Sequence, residues 1–526
     1  MWPGQRDPRC HDAAYAHETP QPSFLHAFKD LLLRDYSHTS GNRAPGLHPP
    51  LLGTSSSEHS SARVSSDRAD RDEREPTSGS TQLSFYPLLL LQDLPSFPSS
   101  LATSQLSAIF ATSFRDQFYF HSLIAIESKA PYLAYARACL GAVIHAREPL
   151  IATSSGGDDP IQGPATDYFW AGSRLLTLIL ELDNREARKI EVLIAGALLE
   201  TYGILTSDPK VWRAVNQFHG CLETIARRLR LHETPFPAKD DHSDDVQSSA
   251  THLHRIMSHL FLLDSMRAIH LNRTPSYSAT ELHMPLPSGT HGFQDAYLSL
   301  KCGQFNNLAV SSENALLLLS AILSDTIVYT RVFYGANCST YWGALPRIGQ
   351  QNDYLTPFSP SREARKVRSN MSLALDHWFD YFGSAVPSDI RALYFFCRLL
   401  LVCPQTLQLP RLAQYACPSE DPHHPQPPDP LGAVCFDIPE EALKVSWLLL
   451  EQVDVKANKA VASVWLPIIL FHAALVVGAK LLASPPEAAG KNGILRSLTL
   501  FKMELEHMPW PCCEAMISTI DKVMGL

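Results

Sequence analysis

Paired cysteines are missing from this chain. Its 11 cysteines lie scattered, at Cys139, Cys221, Cys302, Cys397 and elsewhere, with no C-x-x-C spacing. That argues against a disulfide framework or a thioredoxin-type redox motif. It fits reduced thiols in a nuclear or cytosolic protein, mostly buried as small hydrophobes. Cys512 and Cys513 abut, and read as one buried and one half-exposed thiol. A structural zinc set is missing too. Cys10 and His11 have no second cysteine at ligand spacing, and such a site needs four ligands. Positive charge is in short supply. Charged residues make up 18% of 526 and the net charge is -9, so the chain as a whole does not attract nucleic acid. The most basic stretches, IARRLRLH (225–232) and SREARKVRS (361–369), read as solvated helix faces.

Catalytic signatures are absent as well. The sequence holds no Gly-rich phosphate loop, no HExxH and no nucleophile elbow. His252, His254 and His259 crowd one segment. Five residues turn a helix by about 500°, which sends 254 and 259 to different faces. They read as a wet helix start rather than a metal site. The run DDHSDD reads as a solvated charge run rather than a cation loop. No catalytic residue, cofactor or metal ligand is assigned. Met1 to Pro50 lacks the apolar core of a secretory signal. Two long apolar runs, VWLPIILFHAALVVGAKLL (464–482) and ALLLLSAILSDTIVYTRVF (315–333), carry Pro467, His472 and Asp325 inside them. Both read as buried core helices, and no membrane association is expected.

What is there is helix. Residues 1–80 are rich in Pro, Ser and charge and are expected to form a disordered arm, with one short helical exception at FLHAFKDLLLRDY (24–36). From about residue 105 the apolar residues recur at three- and four-residue steps. YFWAGSRLLTLILEL (168–182) places Trp170, Ala171, Leu175, Leu178 and Leu182 on one face. A helix over 185–205 buries Ile190, Leu193, Ala197 and Leu198. After the break at LTSDP, Asp208 is a good N-cap and Pro209 suits the first turn of a helix running to His232. Its stripe is Trp212, Val215, His219, Leu222, Ile225, Ala226 and Leu229. AKDDHSDDVQSSA (238–250) and PSEDPHHPQPPDP (418–430) read as loops. Further helices are expected at 311–334, 362–383, 387–403, 439–459, 461–483 and 492–508. Strand-type alternation is almost absent, so the fold class is all-α, one large multi-helix body over 105–526.

The stretch RIMSHLFLLDSMRAIHLNRTPSYSATELHMPLP (255–287) runs from an amphipathic helix into a proline-punctuated loop. Asp264 and Arg267 are three apart and can pair along the edge of the apolar stripe. Pro275 bars continuation of the helix and pushes Thr274 extended. Together Asp264, Arg267 and Pro275 read as a structural clasp. Near the C-terminus, Ile494, Leu498, Phe501, Leu505 and Met508 fall at alternating four- and three-residue steps. That seam packs either inside the chain or against a partner, a homodimer being one form.

The order in 255–287 is an Arg-led helix with a central Leu-Asp, a polar-Pro turn, then Glu-Leu and Leu-Pro. It resembles the fungal-specific transcription factor domain, the middle homology region of fungal zinc-cluster and zinc-finger regulators. APYLAYARACLGAVI (130–144) looks like the family's early helix ending in Gly-Ala. The run from VLIAGALLETYG (192–203) through Trp212 to RRLRLH (227–232) follows its apolar helix, tyrosine, gap, tryptophan and long helix. FHAALVVGAKLL (471–482) and LRSLTLFKMELEHMPWPCCEAMISTIDKVM (495–524), with Trp510, resemble its C-terminal helices.

The resemblance implies a nuclear transcription regulator of a metabolic or secondary-metabolite pathway, not an enzyme. Its helical body would serve regulation and partner binding. DNA would be reached through other transcription regulators or an N-terminal zinc module whose ligands this sequence does not show. The alternatives are an all-α small-molecule-binding protein or enzyme with an interior pocket rimmed by polar groups, and a helical scaffold with no role in transcription.

Overall fold

The structure is a computed structural model. It describes residues 97–126, 128–146, 164–183, 185–233, 244–289, 291–304, 308–335, 360–415, 438–453, 461–483 and 491–525. The expectations for 1–80, for the helix at 24–36, for Cys10 and His11 and for the loop at 418–430 fall outside these residues.

Sixteen α-helices follow one another among the described residues, with no strand beyond an isolated bridge between Pro285 and Gly292. The N-terminal half holds α1 (Ser100–Ser113), α2 (His121–Ile124), α3 (Pro131–His145), α4 (Ala165–Leu182), α5 (Ile190–Ile204), α6 (Pro209–Arg228), α7 (Asp244–His270) and α8 (Phe293–Cys302). Then come α9 (Ser312–Thr330), α10 (Pro360–Phe382), α11 (Ser388–Val402), α12 (Leu409–Leu412), α13 (Glu440–Glu451), α14 (Leu466–Ala483), α15 (Lys491–Glu506) and α16 (Cys512–Met524). Most packing joins near neighbours in sequence: α1 on α3, α3 on α4 and α5, α5 on α6 and α7, then α7 on α9 and α9 on α10 and α11. The series continues through α11 on α13 and α14, and α14 on α15 and α16. One hydrophobic cluster runs from Leu106 to Ile520.

The two ends of the described chain meet. The Phe114 ring lies 6.2 Å from the Trp510 ring. Cys512 N donates to Leu205 O at 2.9 Å, and Trp510 Nε1 donates to Ala462 O at 3.1 Å. Both Cys512 and Cys513 are therefore buried. This corrects the expected half-exposed thiol: the pair sits where α16 closes on the end of α5, not at a free helix start.

Local signals fix several helix starts. Asp208 accepts from Lys210 N at 2.8 Å and Pro209 takes the first position of α6, as the spacing predicts. Leu229, the last residue of the expected α6 stripe, and Ile190, the first of the α5 stripe, are only half-buried. On α4, Trp170 and Leu182 are half-buried, while Phe169, Leu176 and Ile179 are buried. The buried arc is wider than one stripe because α3 and α5 both cover α4. Helix α7 begins at Asp244, so residues 244–250 are helix where a loop was expected. No Gly or Pro interrupts the sequence between Asp244 and His270, so nothing in it stops the helix. The helix expected over 461–483 starts only at Leu466, with Pro467 in its first turn. The one expected over 439–459 ends at Glu451.

The two longest apolar helices, Ser312–Tyr334 and Leu466–Ala483, are long and apolar enough to cross a membrane, and are 72% and 83% buried inside the protein. Helix α14 is surrounded by α11, α12, α13, α15 and α16, which explains an apolar sequence with no polar face.

Helices α1 and α3 cross very closely at Gly141. A Cβ there would lie 2.0 Å from Leu106 O, which is backbone and cannot swing aside. Gly→Ala in an open helix stabilises by about 0.5–1 kcal/mol. Here the sign is expected to reverse: Gly141→Ala should destabilise by about 1–3 kcal/mol through overpacking. A denaturant titration measures this, and an unchanged or raised midpoint would show that α1 can move away.

Candidate functional site

The chain turns at the end of α7 in a way the proline does not cause. Helix α7 stops at His270, Asn272 takes the left-handed conformation (φ 49°), and Arg273 N donates back to Ala268 O at 2.8 Å. Asn is one of the few residues that tolerates this conformation, and it caps helices as Gly does. The expectation that Pro275 ends the helix is therefore corrected. Pro275, five residues past His270, instead leads the chain into Ser276 and Tyr277.

Those two residues land on Asp264. Ser276 N and Tyr277 N donate to Asp264 Oδ2 at 2.6 and 2.9 Å. Arg267 Nη2 donates to Asp264 Oδ1 at 2.9 Å and to Ser276 Oγ at 3.1 Å. Asp264 is fully buried rather than at the edge of a stripe, because α5, α9 and the loop after α7 enclose this part of the helix. Residues 261–270 are all buried.

Two further helices bring charge to the same point. His219 on α6 places Nε2 3.2 Å from Asp264 Oδ1 and 3.2 Å from Ser276 Oγ. Its Nδ1 lies 2.8 Å from Glu200 Oε1 on α5. Burial alone pulls the imidazole pKa down. Glu200 and Asp264 outweigh it and raise the pKa to about 9. For Asp264, burial pushes the carboxyl up. His219, Arg267 and the Tyr277 N–H more than reverse that, leaving its pKa below the usual carboxylate range. The carboxyl groups of Glu200 and Asp264 thus face the basic side chains of His219 and Arg267, and such pairing offsets part of the penalty an isolated buried charge would carry.

Arg227 closes the outside. It donates to Ser276 O at 2.9 Å and to Glu281 Oε2 at 3.1 Å, pairs with Glu223, and lies 5.3 Å from the centre of the Tyr277 ring. The stretch 225–232 is thus more than a solvated face: one of its arginines holds the clasp loop.

Chemically the group resembles a nucleophile triad, since Ser276, His219 and Glu200 stand in the right order. Its protonation argues otherwise. At neutral pH His219 holds both protons and has none to gain from Ser276, whose Oγ accepts from Arg267. The arrangement positions a loop; it does not withdraw a proton.

Sequence reasoning found Asp264, Arg267 and Pro275, and placed His219 in the apolar stripe without its role. It missed Glu200 and Ser276. Glu200 had a signal, being the one charged residue amid IAGALLETYGIL. Ser276 had none.

The expected C-terminal seam is taken up by the chain itself. Leu498, Phe501, Leu505 and Met508 are buried and Ile494 is half-buried, with α15 packed on α14 and α16. Of the two arrangements read from the sequence, this is internal packing, and a second chain has no access to those four side chains. His254 and His259 are buried, not wet, because α7 is enclosed on several sides. Among the described residues no group of three His, Cys, Asp or Glu could hold a metal ion.

The family described as the fungal specific transcription factor domain matches residues 102–380. The chain belongs to this family. The match covers just over half of the sequence, begins within α1 and ends within α10, and contains the whole charge network. No curated protein and no solved structure matches the chain. Membership makes the chain a fungal transcription regulator in general terms.

Proposed function

We propose that this regulator acts in the nucleus on a metabolic or secondary-metabolite pathway, with the helical body as its regulatory and partner-binding part. The family match over α1 to α10 is the observation that carries the reading. The buried ion network gives that body a fixed part: Glu200, His219, Asp264 and Arg267 hold the loop after α7 in place. DNA is reached through other transcription regulators or through an N-terminal zinc module whose ligands this sequence does not show, since the net charge is -9 and no zinc ligand set is legible in it.

Expression profiling of a deletion strain, with the tagged protein imaged in the same cells, tests this. The expected result is nuclear protein and a changed set of transcripts from one pathway. An unchanged profile together with exclusion from the nucleus sinks the reading. Binding of the purified chain to promoter fragments at physiological salt is expected to be weak and strongly salt-dependent. Tight, sequence-specific binding would remove the partner-dependent part only.

A further inference from the structure

A cavity of about 30 Å³, with the Arg255–Glu313 ion pair in its lining, lies between the Phe118–Phe120 turn, α7 and α9. Its wall is mostly apolar: Phe118, Tyr119, Leu262, Leu316 and Leu317. Ser258, His259 and Ser320 interrupt it, the Tyr119 ring carries a hydroxyl, and Arg255 and Glu313 complete the polar lining. His259 is 2% exposed, and neither ring nitrogen has a hydrogen-bond partner of proper geometry. An unsatisfied buried polar group is costly, and this ring, met only by a poorly aligned Tyr119 backbone group, lines open space.

We propose that this cavity is a binding site for the hydroxyl end of a small, neutral, otherwise apolar alcohol. The lining dictates the chemistry. Burial drives the His259 pKa down to about 4, with a Tyr119 backbone interaction offsetting part of the shift. The ring is therefore neutral at pH 7 and offers one N–H donor and one acceptor nitrogen. Ser258 Oγ and Ser320 Oγ already donate to His254 O and Leu316 O, both at 2.8 Å. They have lone pairs left to offer and no proton. The unmet demand is for a group that both donates and accepts, as a hydroxyl does.

Charged groups suit the site poorly. Arg255 is committed to Glu313 at 3.0 Å, so no free cation lines the space for an anion, and a bare cation would face an apolar wall. About 30 Å³ is room for roughly two water-sized groups, enough for a hydroxyl and the carbon that bears it. Leu262, Pro287 and Leu316 offer apolar surface for the rest of the molecule, and the partly exposed Arg255 and Glu313 line the same space. This inference rests on the cavity alone and stands whether or not the pathway proposal does.

The test uses the full chain with labelled histidine, titrated with 1-butanol and with its isomer diethyl ether, which accepts a hydrogen bond but cannot donate one. Ring resonances are followed by NMR, and that of His259 is assigned by its loss in His259→Phe. The phenyl ring keeps the packing against Phe120, whose centre is 5.3 Å away, and removes both unsatisfied nitrogens, so the variant is expected to fold. Saturable movement of the His259 resonance by 1-butanol, and much less by the ether, is the expected result. Ser320→Ala should weaken 1-butanol binding about three- to tenfold, the worth of one hydrogen bond. No saturable movement, equal response to the ether, or unchanged affinity in Ser320→Ala would each overturn the proposal and leave the cavity to ordered water.

Discussion

Asp264→Ala is expected to destabilise the body by about 3–5 kcal/mol, the range for removing one partner of a buried ion pair. The reason is what the substitution leaves behind. Arg267, itself buried, loses its carboxylate and remains next to a protonated His219. The Ser276 and Tyr277 N–H groups lose their acceptor together, so the loop after α7 comes free. A shift of the denaturant midpoint measures the effect. A contrast is built into the same fold. Asp376 pairs with Arg398 at 2.6 Å, but half of the Asp376 side chain is exposed. Asp376→Ala should change stability by no more than about 0.5 kcal/mol. If Asp264→Ala is as mild as Asp376→Ala while transcript control is lost, the network is a regulatory contact and not a clasp.

The helices were largely legible in the sequence because local chemistry determines them. Asp208 and Pro209 start α6 without help from the rest of the chain. Residues that depend on distant neighbours were not legible. A stripe argument assumes that a helix has one buried face and one wet one. Helix α7 has no wet face over residues 261–270, where every residue is buried, and already over 252–260 no residue is exposed, so His254 and His259 can lie on different faces and both be inside. The same assumption hid Phe169, Leu176 and Ile179 on α4. The Glu200–His219 contact links residues 19 apart on two helices, and Ser276 reaches His219 across 57 positions. No periodicity reports such a meeting. Asp264 and Arg267 were legible as a pair because three residues is a helical step. Their depth was not, since it is set by α5, α9 and the loop. Asn272 carried a weak signal, as a polar residue before Arg-Thr-Pro, and the proline three positions on drew the reading away from it.

Acid is expected to unfold this protein early. His254, His259 and His472 are held near pKa 4 and His270 near 3, burial being the largest cause in each case. A histidine whose folded pKa lies below its unfolded value of 6.5 binds its proton more readily when unfolded. Its contribution is intact above about pH 6.5 and is lost as pH falls toward the folded value. Each such group contributes about 1.4 kcal/mol per pH unit in that window, so four together reach on the order of 5 kcal/mol per unit. Asp264 adds to the loss at lower pH still, because its carboxylate is favoured in the fold. His219 works in the opposite sense. Its folded pKa, about 9, lies above the unfolded one, so its stabilisation is complete below pH 6.5 and fades as pH rises toward 9. Stability should therefore peak near neutrality; on the alkaline side His219 acts first, and buried thiols such as Cys139 and Cys397, whose pKa values burial raises, add to the loss at higher pH. Since domains are stable by about 5–15 kcal/mol, tryptophan fluorescence should report unfolding at roughly pH 5. His472→Phe removes one of the four while keeping the ring contacts with Phe396 and Phe471, and it should move the acid midpoint downward. A midpoint well below pH 4 in the natural chain, unmoved by His472→Phe, would assign acid unfolding to the carboxylates alone.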